Sequence, residues 1–468
     1  MSASGALVLK FGGTSLADAA RLRAAADLIL ARADAGAPVA VVVSAMGSTT
    51  DSLVAAAEAA VQARTATWRT LVDAIENDHL ATCSQLFPDS TGPTATVRST
   101  LARVRGLCQE AEEIGGISGC ASDELRSAGE LLAAEILAAV IAASRRAIAI
   151  DATEILRSDD RSGRARLLAA PSQHLIRSRL EPILADGVIP VVTGFRASTA
   201  DGRTTTLGRG GSDTSATAIA ALLPAAEAWI LTDVPGVMTA DPQLVPDAQV
   251  LPFLSYREAL ELAFFGARVL HPSSLELPQR HQVQVRILSS LHPATGGTLI
   301  GPQLAGSPGV RAVVDTRDAR LYTVAGVDGV AFTRVGSVVL EGLDAEGIPT
   351  LIVTQSSADN VICFAVSGEH GPRVRKLLGD LRARTGMLGD FEETAQAGIV
   401  VAVGDSMRGT PGIAAKLFSA LAEKGINVIA ISQGSSELSV SAAVRSHDVP
   451  AAVSAIHGAF QLAAIPFI

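Results

Sequence analysis

The glycine-rich stretch Gly208-Arg-Gly-Gly-Ser-Asp213 combines residue types that bind anions. Three glycines within four residues let the backbone approach a ligand closely. Arg209 offers a guanidinium that suits a carboxylate or phosphate, while Asp213 is costly in such a loop unless it pairs with a cation or orients one. Because a helix predicted over residues 215–223 points its free N–H groups at the loop, the stretch predicts an anion site. An ordinary capped glycine turn is the alternative.

The N-terminal stretch Lys10-Phe-Gly-Gly-Thr-Ser15 has the same order of strand, glycine turn and helix. It follows an apolar strand predicted over residues 6–11 and leads into a helix predicted over residues 16–32. The spacing matches neither a Walker A loop nor a dinucleotide fingerprint. A lysine and backbone N–H groups at a helix N-terminus can still hold phosphates, so Lys10 is a candidate phosphate ligand. A solvated lysine is the alternative.

The composition excludes several classes of protein. The chain has 468 residues, which suggests about two to four domains. Its net charge is −9 and it has no basic cluster, so nucleic acid is not an expected partner. No apolar run predicts a membrane span, and the first residues lack the pattern of a signal peptide. The four cysteines are scattered without metal-type spacing, which predicts reduced thiols, no metal held by protein side chains and a cytoplasmic location.

Apolar strands alternate with helical patterns over the first three hundred or so residues. Strands are predicted over residues 6–11, 38–43, 147–150, 188–195 and 228–232. This alternation predicts a mostly parallel sheet covered by helices, the α/β class. Small polar residues follow two of the strands, over residues 44–51 and 232–242. Ligands of such sheets bind at the carboxyl ends of the strands, so these loops are candidate site loops, with ordinary turn chemistry as the alternative.

Two helical segments carry further polar residues. In the first, the pattern Ser127-x-Gly-Glu130 places a glycine inside a helix, which is tolerated where something must come close. Glu130 is a candidate for contact with a ligand ammonium group, and an exposed helical glutamate is the alternative. A second helix is predicted over residues 255–270. His271, just before a proline, is expected to be a helix-end residue rather than a catalyst.

The last third of the chain contains an internal repeat. Residues 293–308 are rich in Gly, Pro and Ser and mark a domain boundary. Residues 347–357 align without gaps on residues 425–435, 78 positions later. Each copy reads strand, helix, strand, strand, helix, which is nearly a ferredoxin-like unit. The repeat predicts two paired small domains with a binding site where they meet.

Five motifs, in this order, resemble those of the aspartate kinase family. They are Lys10-Phe-Gly-Gly-Thr-Ser15, Ser127-x-Gly-Glu130, Gly208-Arg-Gly-Gly-Ser-Asp213, Thr232-Asp-Val-Pro-Gly236 and Phe265-Gly-Ala-Arg-Val-Leu-His-Pro272. The repeat resembles the paired ACT domains of that family, so the resemblance covers essentially the whole chain. It implies an amino-acid kinase domain over residues 1–300, with a mostly parallel sheet sandwiched by helices. It also implies two ferredoxin-like ACT domains over residues 309–390 and 396–468.

Residues 354–357 and 432–437 resemble most the kinase half of the aspartate kinase–homoserine dehydrogenase enzymes. The chain stops where a dehydrogenase would begin, so a monofunctional kinase is expected. The resemblance implies transfer of the ATP γ-phosphoryl group to the β-carboxylate of L-aspartate, with Mg²⁺, as the first step of lysine, threonine and methionine biosynthesis. It also implies a cytoplasmic homodimer or larger oligomer, held by its ACT domains and regulated by an end-product amino acid.

The resemblance also implies roles for single residues. Lys10 and the Gly12 and Gly13 amides stabilise the transferring phosphoryl group, and Asp213 orients Lys10. Arg209 and Glu130 take the α-carboxylate and the α-ammonium group of aspartate. The remaining substrate contacts are assigned to Ser44, Thr50 and Ser212, and the nucleotide pocket to Lys10, Thr232, Asp233, Met238, Asp241 and Arg268.

Some residues depart from the pattern of the family. Met238 stands where an aromatic residue is common near adenine, Arg268 replaces a common lysine, and Gln243 replaces a common arginine. Arginine and lysine are not interchangeable at a phosphate contact. All three departures concern the nucleotide side, whereas Lys10, Glu130, Arg209 and Asp213 keep the pattern.

The effector is open to two interpretations. Gln355 and Gln433 occupy equivalent places in the repeat and are candidates for hydrogen bonds to a small polar effector, with solvated edge-strand glutamines as the alternative. Residues 349–357 contain no acid, which favours threonine over a cationic lysine. Two other functions compete with the aspartate kinase: a kinase for another amino-acid carboxylate, and a catalytically dead amino-acid sensor.

Overall fold

The computed structural model describes residues 5–90, 92–266, 270–302, 309–356 and 360–464. These residues form two compact units. The first consists of Met1–Gly236 with Val269–Pro302, and the second of Val237–Arg268 with Gln303–Ile468. Residues 237–268 thus join the second unit by their contacts, although they belong to the predicted domain over residues 1–300. The predicted domain boundaries stay predictions.

The strands and helices follow one another along the chain as follows. The strands are β1 (Leu7–Phe11), β2 (Val39–Val43), β3 (Ala147–Ile150), β4 (Ile189–Thr193), β5 (Arg196–Ser198), β6 (Thr204–Thr206), β7 (Glu227–Thr232), β8 (Phe253–Ser255), β9 (Gln284–Ser289), β10 (Thr298–Gly301), β11 (Ala312–Gly326), β12 (Ile352–Ser356), β13 (Val361–Ser367), β14 (Leu388–Val403), β15 (Ala430–Gln433) and β16 (Ser439–Arg445). The helices are α1 (Ala19–Asp34), α2 (Thr49–Val61), α3 (Thr65–Leu86), α4 (Thr94–Ile114), α5 (Gly119–Arg126), α6 (Ala128–Ala142), α7 (Ala169–Ala185), α8 (Gly211–Leu222), α9 (Tyr256–Phe264), α10 (Ser273–His281), α11 (Phe332–Ala345), α12 (Gly371–Thr385), α13 (Ile413–Glu423) and α14 (Val449–Ala459).

The first unit is built on a mostly parallel sheet in the order β3-β4-β2-β1-β7-β9-β10. Every neighbouring pair from β3 to β9 is parallel, and β10 runs antiparallel to β9. All residues of β1, β2 and β4 are buried. Because successive side chains of a strand point to opposite faces, both faces of the sheet are covered. The predicted α/β class is therefore confirmed.

Helices fill both sides of this sheet with an apolar core. Residues of α1 to α4 and α6 join β1 and β2 in one cluster of buried side chains, while α8 packs on β1, β2 and β7. None of the described helices combines the length and the apolar composition needed to cross a bilayer. The β1 strand thus lies in the middle of the layered core, with its carboxyl end at the candidate site.

The second unit contains a six-stranded antiparallel sheet in the order β12-β13-β11-β14-β16-β15. The long strands β11 and β14 pair from Ala312 opposite Val403 to Gly326 opposite Leu388. The first ferredoxin-like unit runs from the second half of β11 through α11, β12, β13 and α12 to the first half of β14. The predicted ferredoxin-like repeat is confirmed.

The second ferredoxin-like unit takes its fourth strand from an earlier part of the chain. It runs from the second half of β14 through α13, β15, β16 and α14. Its fourth strand is the first half of β11, where Ala312 to Thr316 pair with Val403 to Ile399. The repeat pattern alone showed only five elements per copy, because this pairing joins residues more than eighty positions apart.

The helix predicted over residues 255–270 is wrong at its C-terminal end. Helix α9 ends at Phe264, and Gly266 follows with a φ of +112°, a conformation outside the helical region. A side chain at Gly266 would lie 3.2 Å from the carbonyl oxygen of Asp315. The chain therefore turns at Gly266, and the next helix, α10, begins at Ser273.

Candidate active site

A buried ion pair lies at the carboxyl end of β1. The Nζ atom of Lys10 is 2.6 Å from Oδ1 of Asp213, and the two side chains are only 11% and 14% exposed. Asp213 belongs to the first turn of α8, where the positive end of the helix dipole favours a carboxylate. Desolvation strengthens the attraction between such charges. The fold thus holds the Lys10 ammonium group in one place beside the glycine loops.

Close backbone contacts fix the turn after β1. A Cβ atom at Gly13 would lie 2.8 Å from the carbonyl oxygen of Ala45 and 2.9 Å from that of Gly47, too close for any side chain. The amide of Gly47 donates to the carbonyl of Gly13 at 3.0 Å. At Gly12 a Cβ atom would lie 3.6 Å from Nζ of Lys10. The Gly12-Gly13 turn, the Lys10 ammonium group and the loop after β2 are therefore neighbours.

Four of the residues predicted to hold the acceptor substrate lie in two loops of the first unit or in the helix turns that follow these loops. Ser44 follows β2 directly, and Thr50 lies in the first turn of α2; both are partly exposed. Ser212, in the first turn of α8, is also partly exposed. It packs so tightly on Gly194 that a Cβ atom added to Gly194 would lie 2.6 Å from the Cβ atom of Ser212. Arg209 is exposed on the glycine loop. All four lie at the carboxyl side of the sheet.

Glu130 is buried, which excludes the exposed helical glutamate considered above. It lies in the first turn of α6 and is 3% exposed. Its Oε2 atom has no hydrogen-bond partner among the described residues. Burial raises the pKa of Glu130 to about 8, against the lowering effects of the backbone amides of Glu130 and Ala45 and of the positive charges of Arg196 and Lys10. Such a carboxylate is suited to a cationic partner that arrives with the substrate.

Gly129 allows α6 to approach its neighbours closely, as the position of a glycine inside this helix predicted. A Cβ atom at Gly129 would lie 2.6 Å from Cβ of Ala45 and 3.0 Å from Cγ2 of Thr49. The first turn of α6 therefore packs directly on the loop after β2. This contact brings Glu130 to the same loop that contacts the Gly12-Gly13 turn.

A buried network that the sequence patterns did not reveal lies at the start of α6. Arg196 is 4% exposed and donates from Nε and Nη2 to the two carboxylate oxygens of Asp151, both at 2.9 Å, and from Nη1 to Oγ of Ser127 at 2.7 Å. Burial tends to raise the pKa of Asp151, but Arg196 and the Thr153 amide outweigh it and hold that pKa below its usual value. The only sequence signal was a charged residue directly after an apolar strand.

A second missed residue, Asp123, is fully buried on α5. Its carboxylate accepts from the Gly163 amide at 3.0 Å, the Ser162 hydroxyl at 2.8 Å and the Thr206 hydroxyl at 2.7 Å. Burial of a charge is tolerated when hydrogen bonds satisfy it in this way. Asp123 thereby ties the loop at residue 163 and strand β6 to the helix that precedes Ser127.

The residues predicted for the nucleotide do not all belong to one unit. Thr232 ends β7 and donates to Oδ1 of the exposed Asp233 at 3.0 Å. Met238 and Asp241 belong to the second unit. There the backbone of Met238 forms a β-bridge with that of Val250, and Asp241 forms an ion pair with Arg317. Arg268 lies outside the described residues.

His271 is not at the end of the predicted helix but precedes α10, against the glycine loop. A Cβ atom at Gly210 would lie 2.4 Å from Cβ of His271. Its Nδ1 atom is 2.8 Å from the hydroxyl of Ser273, which is 2.9 Å from that of Thr214 on α8. Burial, and then the charge of Arg209, lower the pKa of His271. A neutral imidazole thus supports the loop that carries Arg209.

The two glutamines of the repeat are both exposed. Gln355 lies on β12 and Gln433 on β15, the two edge strands of the second sheet. Gln355 also lines a cavity of about 480 Å³ between α11 and β12. The polar lining of this cavity includes Thr354, Ser337 and Glu341. The carboxylate of Glu341 comes from the helix, so the absence of acids in residues 349–357 does not describe the whole cavity.

Comparison with known proteins gives matches along the chain. A model of the amino acid kinase family matches residues 5–289, and a model of the ACT domain matches residues 400–460. The chain is 34% identical to a bifunctional aspartokinase/homoserine dehydrogenase of Haemophilus influenzae over 97% of its length and 56% of that relative. It is 31% identical to Aspartokinase 2 of Bacillus subtilis, over 99% of both chains. The chain thus spans about half the length of the bifunctional relatives that it matches.

Solved structures give the same likeness. The crystal structure of E. coli aspartokinase III in complex with aspartate and ADP, in the R-state, is 29% identical. It matches with a TM-score of 0.85 over 97% of this chain and all of that one. The structure of the same E. coli protein with lysine and aspartate, in the T-state, matches with a TM-score of 0.76.

Proposed function

The chain belongs to the amino acid kinase family, and from that premise we propose that it transfers the γ-phosphoryl group of ATP to the β-carboxylate of L-aspartate, giving 4-phospho-L-aspartate. The names of its relatives support this substrate. The observation that carries the proposal is the buried carboxylate of Glu130, whose Oε2 lacks a partner among the described residues. Such a group fits the α-ammonium group of a free amino acid.

The acceptor amino acid is proposed to bind across the loops that surround Glu130. Arg209 takes the α-carboxylate, because its exposed guanidinium can form two parallel hydrogen bonds to a carboxylate. Ser44, Thr50 and Ser212 hold the rest of the substrate with their hydroxyl groups. These contacts leave the β-carboxylate as the group that faces the phosphoryl donor.

The chemistry needs positioning and charge neutralisation rather than a general base. The β-carboxylate of aspartate is ionised at neutral pH and attacks the γ-phosphorus directly, while the bond from that phosphorus to the ADP oxygen breaks. Lys10 neutralises charge on the transferring oxygens with the Gly13 amide beside it, whereas the predicted contribution of the Gly12 amide conflicts with its hydrogen bond to the carbonyl of Leu231 at 3.2 Å. Asp213 holds the Lys10 ammonium group at 2.6 Å and so fixes its direction.

The donor set at the sheet edge fits Mg²⁺ bound together with ATP. In kinase sites this ion takes most of its ligands from phosphates and water, plus one or two carboxylates. The exposed carboxylate of Asp233 fits that purpose, and the described residues contain no cluster of three or more potential side-chain ligands. When bound, the ion supplies further neutralisation of charge on the phosphate oxygens.

The nucleotide is proposed to bind beside the end of β7, next to Lys10. Thr232 and Asp233 provide polar contacts there, and Met238, Asp241 and Arg268 complete the proposed set. Met238 would replace the flat aromatic contact to adenine by a flexible thioether side chain. Asp241 is already paired with Arg317, so any contact of Asp241 with the nucleotide depends on that ion pair.

Regulation by an amino acid is proposed for the two ACT domains, which we assign to residues 309–390 and 396–468, beyond a catalytic domain over residues 1–300. Threonine is the proposed effector, bound through Gln355 and, in the second copy, Gln433. Lysine is the second candidate, because Glu341 lines the same cavity as Gln355 and suits a cation. We also propose that the chain acts in the cytoplasm as a homodimer or larger oligomer, at the start of lysine, threonine and methionine biosynthesis.

The decisive experiment traps the product acyl phosphate with hydroxylamine in the presence of Mg·ATP and L-aspartate. Formation of the hydroxamate, and its loss on adding threonine alone, are expected. Loss only with lysine would keep the kinase and replace the effector. No hydroxamate from aspartate but formation from glutamate would make the chain a kinase for another carboxylate, and no product from either would favour the amino-acid sensor.

A further inference from the structure

A buried arginine connects three elements at the start of the helix that carries Glu130. Arg196 on β5 binds both carboxylate oxygens of Asp151, which follows β3, and the hydroxyl of Ser127, which precedes α6. Its side chain is 5% exposed. This planar, two-pronged contact fixes the guanidinium in direction as well as in position.

The contact to Ser127 reaches Glu130 through one helical turn. Ser127 precedes the first residue of α6, and Glu130 lies in that first turn. The Ser127 hydroxyl accepts from Arg196 at 2.7 Å and donates to the carbonyl of Asp123 at 2.6 Å. The junction of α5 and α6 is thereby held from both sides. A shift of Arg196 would move the start of α6 and the carboxylate that it carries.

The charge of Arg196 also acts on Glu130. Two positive groups favour the ionised form of Glu130: Arg196 from β5 and Lys10 from β1. Lys10 is paired with Asp213 of α8, and Arg196 with Asp151. Burial works against both cations, since it favours the neutral acid. Glu130 must be ionised to pair with an ammonium group, so the arginine opposes the effect of burial.

We propose that Arg196 is a positioning residue for the substrate amino group, which acts by fixing the first turn of α6, the turn that carries Glu130. The inference rests on the proposed function and adds a residue to the acceptor site. Arg196 itself stays buried and touches neither substrate. Because it acts through Glu130, it controls the affinity for the amino acid and leaves the affinity for ATP unchanged.

The test measures kcat and both KM values between about pH 6 and about pH 9, around the pKa of about 8 of Glu130. The double variant Arg196→Met/Asp151→Asn removes both charges and so leaves no lone buried ion. We expect its KM for aspartate near neutral pH to rise about tenfold, with the KM for ATP changed less than about twofold. The penalty should be larger near neutral pH than at pH 9, because loss of the Arg196 charge lets burial raise the pKa of Glu130 further.

The variant Arg196→Lys separates the contact from the charge. It keeps a cation beside Asp151 but loses the fork that reaches Ser127, so KM for aspartate should rise at every pH by a similar factor. If the double variant fails to fold, this variant decides: an unchanged KM for aspartate overturns the inference.

Two results of the double variant would contradict the proposal. One is an equal rise of both KM values, which would indicate a general structural defect, and the other is an unchanged KM for aspartate at every pH. The wild-type chain is the control for the proposed function. If it forms no hydroxamate from aspartate, that function fails, whereas normal wild-type activity with an indifferent Arg196 refutes this inference alone.

Discussion

The polar residues at the carboxyl end of the first sheet and those at the edges of the second sheet lie in opposite environments. Lys10 and Glu130 are 8% and 3% exposed and are surrounded by backbone and buried charge. Gln355 and Gln433 are exposed on edge strands. Buried charges interact strongly and keep their positions, whereas exposed polar groups gain little before a ligand covers them. In the first region the fold itself therefore holds the polar groups in place, whereas in the second region they are open to solvent.

The largest expected effect in this comparison is that of Lys10→Ala. Removal of the buried ammonium group should lower kcat for hydroxamate formation by about a thousandfold, because this is the cation that lies beside Gly12 and that Asp213 holds in place. The KM for aspartate should change far less. Lys376→Ala, which removes an exposed lysine of the second unit, is the matched control and should keep wild-type kcat. Equal activity of the two variants would remove Lys10 from the mechanism.

The next effect tests whether burial of Glu130 matters for the acceptor. Because the folded-state pKa of Glu130 is about 8, the fraction of ionised Glu130 rises with pH through that value. The KM for aspartate in the wild-type chain should therefore fall between about pH 6.5 and about pH 9. In Glu130→Gln the KM at the upper pH should be about a hundredfold higher and should lack this dependence.

Glu135→Gln, a half-buried glutamate on the same helix, is the control for that experiment. It should keep the wild-type KM and the wild-type pH dependence. If Glu130→Gln also kept them, the ammonium of the substrate would have to bind elsewhere. The difference in burial between Glu130 and Glu135 would then carry no information about the site.

A third prediction concerns the tight packing that supports the site. Gly129→Ala places a Cβ atom 2.6 Å from that of Ala45, and such overpacking should lower the free energy of unfolding by about 1–3 kcal/mol. Gly106→Ala in the exposed middle of α4 meets no atom within 4 Å and should instead stabilise the chain by up to about 1 kcal/mol. Urea unfolding of both variants measures the difference. Equal changes in the free energy of unfolding would mean that the loop after β2 shifts to accommodate the new Cβ atom on α6 without strain.

The sequence predicted the first region well where local pattern decides the structure. Continuous apolar runs such as residues 38–43 gave the buried strands, since only strands covered on both faces are apolar throughout. The turn at Gly266 was missed because nothing in the helical pattern before it shows the contact with Asp315. The strand pairing of residues 312–316 with residues 399–403 was missed for the same reason: it depends on distant parts of the chain.

The site shows the same limit. The motifs placed Lys10 and Asp213 at one sheet edge, and the 2.6 Å contact follows from that placement. Their catalytic roles stay predictions. Burial of Glu130 remained open from the sequence, because a helical glutamate has the same local pattern in solvent and in a core. Arg196 and Asp123 were missed because isolated polar residues show their partners only after folding.

The smallest predicted effect separates the two copies of the repeat in the second region. Gln355 lines a cavity with Glu341, and Gln355→Ala should raise the concentration of threonine needed for half-inhibition about fivefold, the loss of about one hydrogen bond. Gln433→Ala, at the equivalent place in the other copy, is the matched variant, and its shift should be smaller if the cavity in the first copy holds the effector.

Glu341→Gln then distinguishes the two effectors: a neutral side chain should weaken inhibition by lysine several-fold and leave inhibition by threonine nearly unchanged. Wild-type inhibition in all three variants would mean that neither glutamine binds the effector, and that the effector does not bind at these edge strands.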